Sequence, residues 1–272
     1  MAIVTIFGGT FGDDERLAKS VAETLGYPYV SREVFVEASR RYGIPEAKLD
    51  EIVEKEPHWW ERWQENLRPY RIALQAAMYE VALTGDIVYC GHVGHGLLPG
   101  IQHVLRVLIT APIEFRLEQV RARQGLDVKA ARRYIDRVEK AHTRRLMALF
   151  GRDWRDLGQY ALVLNIAQMS SAAAVQMIVR AAQLEEYRPT AASQREFADL
   201  ALATKVQAVL LLTPGLRNLI VDVQAKQGEV SLSGLLPPSV SEQEVVSIVE
   251  SVPDVRKVLS DLVTPQRLSR FE

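Results

Sequence analysis

The sequence predicts an α/β protein in which a parallel sheet has helices on both faces and a second, smaller α+β domain follows. Short apolar runs alternate with amphipathic helical segments over residues 1–185, and this alternation is typical of parallel sheets. A polar, proline-containing stretch at 187–194 ends the pattern. The length of 272 residues also exceeds the usual size of one hydrophobic core. We therefore expect a first domain over 1–188, a linker over 189–194 and a second domain over 195–272.

Each strand expected in the first domain is a short apolar run with helical segments beside it. These runs lie at 3–7, 87–90, 104–110 and 162–166. The segments between them place apolar residues on one helical face, as Leu17, Val21 and Leu25 do. Helices are predicted at 13–25, 32–41, 46–54, 70–83, 113–123, 128–150 and 170–185.

The second domain has a different order of elements. A helix at 196–212 precedes two strands at 219–225 and 229–233 with a turn at Gly228, and a helix at 241–251 precedes a strand at 255–263. This αββαβ unit has about 70 residues, which is enough for a small core of its own.

Composition bounds the class of protein. The net charge is −1 and the pI is about 6.6, so the whole molecule is not a polycation and we expect no nucleic-acid partner. A single cysteine, Cys90, excludes an internal disulfide framework. No signal peptide and no apolar stretch of about 18 residues is present, so we expect no transmembrane segment and a cytoplasmic protein.

Residues 1–185 resemble the cytidylate kinase-like family of P-loop nucleotide kinases. The resemblance rests on four segments in the family's order: AIVTIFGGTFGDDERLAKSVAETLGYPYVSREVFVEAS, IVYCGHVGHGLL, LITAPIEFRLEQVRARQGL and RYIDRVEKAHTRRLMALFGRDWRDLGQYALVLN. It implies a phosphate cradle of backbone N–H groups at Gly8, Gly9 and Gly12, before the first helix. For an active member it implies ATP and magnesium, with a monophosphate such as CMP as the phosphoryl acceptor.

The sequence departs from this family at the phosphate loop. The strict pattern G-x-x-x-x-G-K-[ST] is absent. The family's lysine would fall near Asp14 and its magnesium-binding hydroxyl near Arg16, so three consecutive carboxylates, at 13–15, stand where a triphosphate needs positive charge. These carboxylates suit the positive end of a helix dipole. We therefore expect an acidic helix start on a kinase scaffold whose catalytic residues are degraded.

Two further positions also lack the residues that the family uses at its site. The family's aspartate before Arg32 is Ser31, and its Gly-Arg-Gly turn after the third strand becomes Gly91-His92-Val93. Replacing that arginine by His92 removes a fork of donors that matches phosphate. Arg32 and His92 nevertheless stay among the candidate phosphate-binding residues.

A basic region follows, from Arg116 to Arg155. It contains twelve Lys and Arg against five Asp and Glu, an excess of +7 in a molecule of net charge −1. The resemblance identifies this region with the lid, whose arginines reach the transferring phosphoryl group. An equally simple interpretation is a solvated helical face. The candidate nucleotide- or phosphate-binding residues are Gly8, Gly9, Gly12, Arg16, Arg32, His92, Arg121, Arg123, Arg144 and Arg145; no residue is assigned a catalytic or a metal-binding role.

Two other clusters have simpler interpretations than a site. Cys90, His92 and His95 are residue types that bind zinc, but their spacing matches no closed site, and burial of Cys90 as a small hydrophobe is favoured. The group Trp59, Trp60 and Trp63 is interpreted as packing, within the chain or at a homo-oligomer interface.

Residues from about 196 to 264 resemble a BON domain. The carrying features are the break at Pro214 and Leu216, the G-x-V-x-L-x-G hairpin from Gly228 to Gly234, and the closing D-V-x-x-V strand that starts at Asp254. The resemblance implies a module that contacts phospholipid, a ligand or a protein partner. No catalytic arrangement is visible in it.

The sequence is compatible with three functions. The first is a divergent, weakly active or inactive kinase-like protein that binds a nucleotide or another phosphorylated ligand and couples it to interaction through the BON module. The second is an active CMP or nucleoside monophosphate kinase that uses ATP and magnesium. The third is a structural assembly protein without a small-molecule ligand.

Overall fold

The first sheet is parallel and five-stranded. In the computed structural model, which describes residues 2–8, 14–54, 67–91 and 93–264, its strand order is β2-β3-β1-β4-β5. The strands are β1 (Ile3–Gly8), β2 (Tyr29–Val30), β3 (Val88–Cys90), β4 (Val104–Thr110) and β5 (Leu162–Asn165). Every residue of β1 is buried, as expected for the central strand of a sheet covered on both faces.

Helices cover both faces of this sheet, as the sequence predicts. They are α1 (Asp14–Leu25), α2 (Glu33–Tyr42), α3 (Glu46–Glu54), α4 (Leu67–Leu83), α5 (Gly94–Leu97), α6 (Ile113–Gln124), α7 (Val128–Phe150) and α8 (Ser171–Ala182). Side chains of α1 and α8 form the apolar core on one face, and side chains of α2, α4 and α7 form the core on the other. None of the helices in the described part of the chain has the length and apolar character needed to cross a bilayer.

The second sheet has three strands, β6 (Ile220–Lys226), β7 (Glu229–Leu235) and β8 (Lys257–Val263). β6 and β7 are antiparallel, whereas β7 and β8 are parallel. Gln227 and Gly228 both have positive φ, at 52° and 84°, which is the geometry of a tight two-residue hairpin turn. With α9 (Ala191–Leu212) and α10 (Glu242–Glu250) these strands form the predicted αββαβ order.

Helix α9 begins earlier than the sequence predicts. The Thr190 hydroxyl accepts from the Ser193 N–H at 3.1 Å and the Ser193 hydroxyl accepts from the Thr190 N–H at 2.9 Å, and this reciprocal capping starts the helix at Ala191. Residues 191–194 are therefore helical where the sequence predicts a linker. The polar composition of this stretch reflects capping and exposure and does not mark an extended segment.

Helix α9 also belongs to two apolar cores. Its Phe197 and Ala201 pack with the first domain, and further along it Val206 packs with the second sheet. Polar contacts add to this junction, because Arg68 of α4 donates to the Leu219 carbonyl at 2.8 Å and Lys205 of α9 lies 3.5 Å from Glu80 of α4. The two sheets are thus joined by a packed helix pair, α4 and α9.

Candidate functional site

The parallel strands end together at one edge of the first sheet. β1 ends at Gly8, and its neighbours β3 and β4 end at Cys90 and Thr110. In open parallel sheets, ligands bind outside the carboxyl ends of the strands. This carboxyl edge is therefore the candidate site.

Gly8 is required at this edge by the close approach of α1. A Cβ atom placed on Gly8 would lie 2.5 Å from the Cβ of Asp14, which is far inside van der Waals contact. Only glycine therefore lets the first residue of α1 sit against the end of β1. The structure consequently places the carboxylate-bearing residue Asp14, and not a lysine, beside the end of the central strand.

The local electrostatics at this edge are negative. Burial raises the pKa of the Cys90 thiol above its ordinary value, and the nearby carboxylates Asp14 and Glu15 raise it further. One turn along α1, the Lys19 ammonium lies 2.7 Å from Glu15 and 5.3 Å from the ring centre of Tyr29. This lysine is therefore already bound to a carboxylate of the same helix.

Arg32 forms an ion pair with a carboxylate of the same chain. Its guanidinium donates to both carboxylate oxygens of Asp50, at 2.7 and 2.6 Å. The sequence predicts Arg32 as a phosphate ligand. Its partner Asp50 is eighteen residues away in the chain, so spacing alone does not reveal this pair. An anion that binds Arg32 must compete with a bidentate carboxylate.

Arg16 is exposed on the first turn of α1. It lines a cavity of about 440 Å³ between α1 and α8, together with Ser171 and Gln176. The structure thus places Arg16 beside the start of α8, at the outer wall of the edge.

The last turns of α7 pack on the end of β1. The ring centres of Phe7 and His142 are 6.1 Å apart, and those of Phe7 and Trp154 are 5.5 Å apart. Arg145 is buried in the same region, with 3% of its surface exposed, and His142 is buried with 7% exposed. The sequence analysis missed His142, although its spacing of four residues from the apolar Leu146 places both on the buried face of a helix.

The four candidate lid arginines do not share one environment. Arg121 and Arg123 are exposed in the last turn of α6, where their charge suits the helix dipole, and Arg144 is also exposed. Arg145 alone among the four is buried. Three of the four are thus exposed and one is buried, and their convergence on a phosphate stays a prediction.

Several predicted site residues lie outside the described residues. These are Gly9, Gly12 and His92, and the tryptophan cluster Trp59, Trp60 and Trp63 falls in the same category. Within the described residues, no three His, Cys, Asp or Glu side chains form a group able to hold a metal ion. Cys90 is a buried free thiol, as the sequence interpretation favours.

A parallel sheet of this strand order, whose central strand ends in glycine against the start of a helix, defines the class of P-loop kinase folds. Sequence comparison gives the family: residues 3–168 match the profile of the cytidylate kinase-like family, and the chain belongs to it. Residues 198–266 match the profile of the BON domain.

Two sequence relatives are cytidylate kinases. The chain is 30% identical over 181 residues to a cytidylate kinase of Ignicoccus hospitalis, covering 66% of this chain and 98% of that protein. It is 27% identical over 177 residues to a cytidylate kinase of Methanopyrus kandleri, covering 62% of this chain and 86% of that protein. Among solved structures, a shikimate kinase from Bacteroides thetaiotaomicron aligns over 67% of this chain and 99% of its own, with a TM-score of 0.40 and 13% identity.

Proposed function

We propose that this protein is a divergent member of the cytidylate kinase-like family that transfers phosphoryl groups weakly or not at all and binds a nucleotide or another phosphorylated ligand. The observation that carries the proposal is the start of α1, where Asp14 packs against Gly8 and Glu15 follows it. Phosphoryl transfer depends on positive charge preorganised around the phosphates. Here the first turn of that helix supplies negative charge.

The size of the repulsion between a carboxylate and a phosphate supports this proposal. At an effective dielectric constant of about 20, two like charges about 4 Å apart repel by roughly 4 kcal/mol, which is about three powers of ten in an equilibrium constant. The one described lysine of α1, Lys19, lies 2.7 Å from Glu15 and offsets the charge of that carboxylate, so the repulsion comes from Asp14, which lies against Gly8. A triphosphate therefore meets an unfavourable field where active kinases provide a favourable one.

The residues at this edge do not fit magnesium and ATP as the family's pattern would bind them. A cationic side chain, Arg16, stands where the resemblance places the magnesium-binding hydroxyl, and Asp14 stands where it places the lysine. We derive no transfer step through the metal nucleotide for this reason. Anion binding instead draws on Arg145, which is buried on the same helix as His142, the neighbour of Phe7, and on the exposed Arg16.

In this proposal, the second domain binds the protein's interaction partner. It matches the BON profile, and its first helix α9 packs on α4 of the kinase-like domain. Through this contact, ligand binding at the first sheet would affect the BON domain, which in turn contacts a protein or a phospholipid.

An active cytidylate kinase is the second candidate, because the relatives carry that name and this chain spans 86–98% of two of them. A coupled assay with ATP, CMP and magnesium separates the two. We expect no turnover above background, and turnover in the range of about 1–100 per second that is usual for kinases would establish the second candidate.

A charge swap at the helix start tests the physical reason. Asp14→Lys should raise ATP affinity at least about tenfold, measured by isothermal titration, because it replaces repulsion by attraction next to the phosphates. Glu23→Lys is the matched control, since it makes the same charge change on the exposed far end of α1, about 13 Å along the helix and beyond a Debye length. Equal affinities for both variants would show that the acidic start is not what excludes ATP.

A further inference from the structure

The exposed face of α7 carries a continuous row of basic side chains. This basic row consists of six exposed residues: Lys129, Arg132, Arg133, Arg137, Lys140 and Arg144. At about 100° per residue they fall within an arc of about 140° around the helix, and at 1.5 Å per residue they extend over about 22 Å of its length.

The opposite face of α7 fixes the orientation of this row. Ala131 and Ile135 pack with α6, while Leu146 and Leu149 pack in the core on that side of the first sheet. The helix is also capped, because the Asp127 carboxylate accepts from the Ala130 N–H at 2.7 Å. The row is thus a fixed, straight array that faces solvent.

Most of the row has no acidic partner. Five members, all but Arg137, make no hydrogen bond or ion pair with any residue in the described ranges; Arg137 stacks over the Tyr134 ring at 5.7 Å. One carboxylate, Asp136, lies within the arc, which leaves a net charge of about +5 for the six cations.

On α2 and α3, by comparison, basic residues are paired with carboxylates of the same helix. Arg40 lies 2.8 Å from Glu37 on α2, and Lys48 lies 3.1 Å from Glu51 on α3. On α7, by contrast, like charges follow one another at helical spacing, as Lys129 and Arg133 do, and each such pair destabilises a helix about as much as an opposite pair stabilises it. A feature that weakens its own helix is best explained by a partner that neutralises it.

We propose that the basic row of α7 binds the phosphate backbone of nucleic acid without regard to base sequence. The Cβ atoms of neighbouring residues along a helix face are about 5–6 Å apart, so a linear polyanion can meet each side chain of the row in turn. No aromatic side chain stands in the arc to stack on bases, since Tyr134 is half-buried and covered by Arg137. The expectation of no nucleic-acid partner rested on the net charge of −1, which averages this row with the acidic remainder of the chain.

The shape of the row favours this partner over an anionic membrane. Helices that lie on a bilayer combine basic residues with large apolar side chains that insert beside them. Between Lys129 and Arg144, the other residues within the arc are Asp136 and Thr143, and neither inserts into a bilayer. One exposed apolar side chain, Met147, lies in line with the row beyond its end, which is far less apolar surface than such membrane helices carry.

Fluorescence anisotropy with a labelled 20-nucleotide oligouridylate tests the proposal, with the full-length protein at 25–200 mM KCl. Five neutralised phosphates predict a slope of log affinity against log salt of about −3.5, because each contributes about −0.7 on a single strand. Lys129→Gln/Arg133→Gln/Lys140→Gln should lower the steepness of this slope by about 2. Its melting temperature should not fall, because glutamine has a similar helix propensity and like charges are removed.

A matched triple variant removes three exposed cations elsewhere. Arg180→Gln/Arg195→Gln/Lys226→Gln changes the net charge equally and should leave the slope unchanged. No binding at 25 mM KCl, or an equal loss of slope in both triples, would overturn the proposal. Binding to vesicles of mixed phosphatidylcholine and phosphatidylserine without oligonucleotide binding would overturn it in favour of a membrane. The proposal does not rest on the proposed function: Lys129, Arg133 and Lys140 are not among the candidate nucleotide-binding residues, so the coupled assay and the ATP titration of Asp14→Lys test that function separately.

Discussion

Phe197 offers a sharp test of how the two sheets are joined. It belongs to α9, yet its ring packs edge-on against Tyr79 with ring centres 5.4 Å apart and against His103 at 5.8 Å. Only 4% of its surface is exposed. Phe197→Ala should therefore destabilise the first domain, although the substitution lies in the first helix of the second.

The magnitude follows from burial. Truncating a buried phenylalanine to alanine costs about 3–5 kcal/mol, and the better helix propensity of alanine returns about 0.5 kcal/mol. The net loss is about 3–4 kcal/mol. For a chain of this size that lowers the melting temperature by about 6–16 °C.

The distribution of tryptophan makes the assay specific. All four tryptophans lie before residue 188, so their fluorescence reports on the first domain, whereas circular dichroism at 222 nm reports on every helix. We expect both signals to shift together in urea unfolding of Phe197→Ala. The control Leu200→Ala on the same helix removes a side chain that is 40% exposed and should cost less than about 1 kcal/mol. A fluorescence transition left in place by Phe197→Ala would refute the shared core.

Three further outcomes are expected. Gly234→Ala should destabilise by about 1–3 kcal/mol in urea unfolding, because φ at Gly234 is +141° and the new Cβ would lie 2.7 Å from the Ile220 carbonyl oxygen. Cys90 should react with a thiol reagent far more slowly in the native protein than in urea. Its pKa is raised in the folded state by burial, so the unfolded chain loses its proton first and stability should fall as the pH rises above about 9. Asp50→Asn should cost less than about 1 kcal/mol in thermal unfolding, because its partner Arg32 is 59% exposed; a larger loss would show that this ion pair holds α2 and α3 together.

Much of the fold follows from the sequence because its periodicity is strong. The helix at 128–150 and the strand at 104–110 have the predicted bounds. The sequence analysis missed β2 and α5, which have two and four residues and are too short to show a period. β2 exists because Tyr29 and Val30 pair with β3, and tertiary pairing of this kind leaves no local pattern.

The candidate site is predicted less completely by the sequence than the fold is. The acidic start of α1 was visible in the sequence, because its carboxylates are consecutive and precede an apolar helical pattern. The pairing of Arg32 with Asp50 was not, because it depends on how α2 and α3 meet. Arg144 is exposed and Arg145 is buried. That they differ follows from helix geometry, since adjacent residues point about 100° apart. Which of the two is buried depends on how α7 packs in the folded chain.

The shared helix α9 has a consequence for synthesis of the chain on the ribosome. Until it emerges, Tyr79, His103 and the α4 residues Ile72 and Ala76 lack the side chains that cover them in the finished protein. At about 5–20 residues per second, the 22 residues of α9 take about 1–4 s to be added. For those seconds the nascent first domain presents apolar side chains of α4 that are not yet covered, so this is the interval in which a chaperone or a neighbouring nascent chain can bind them.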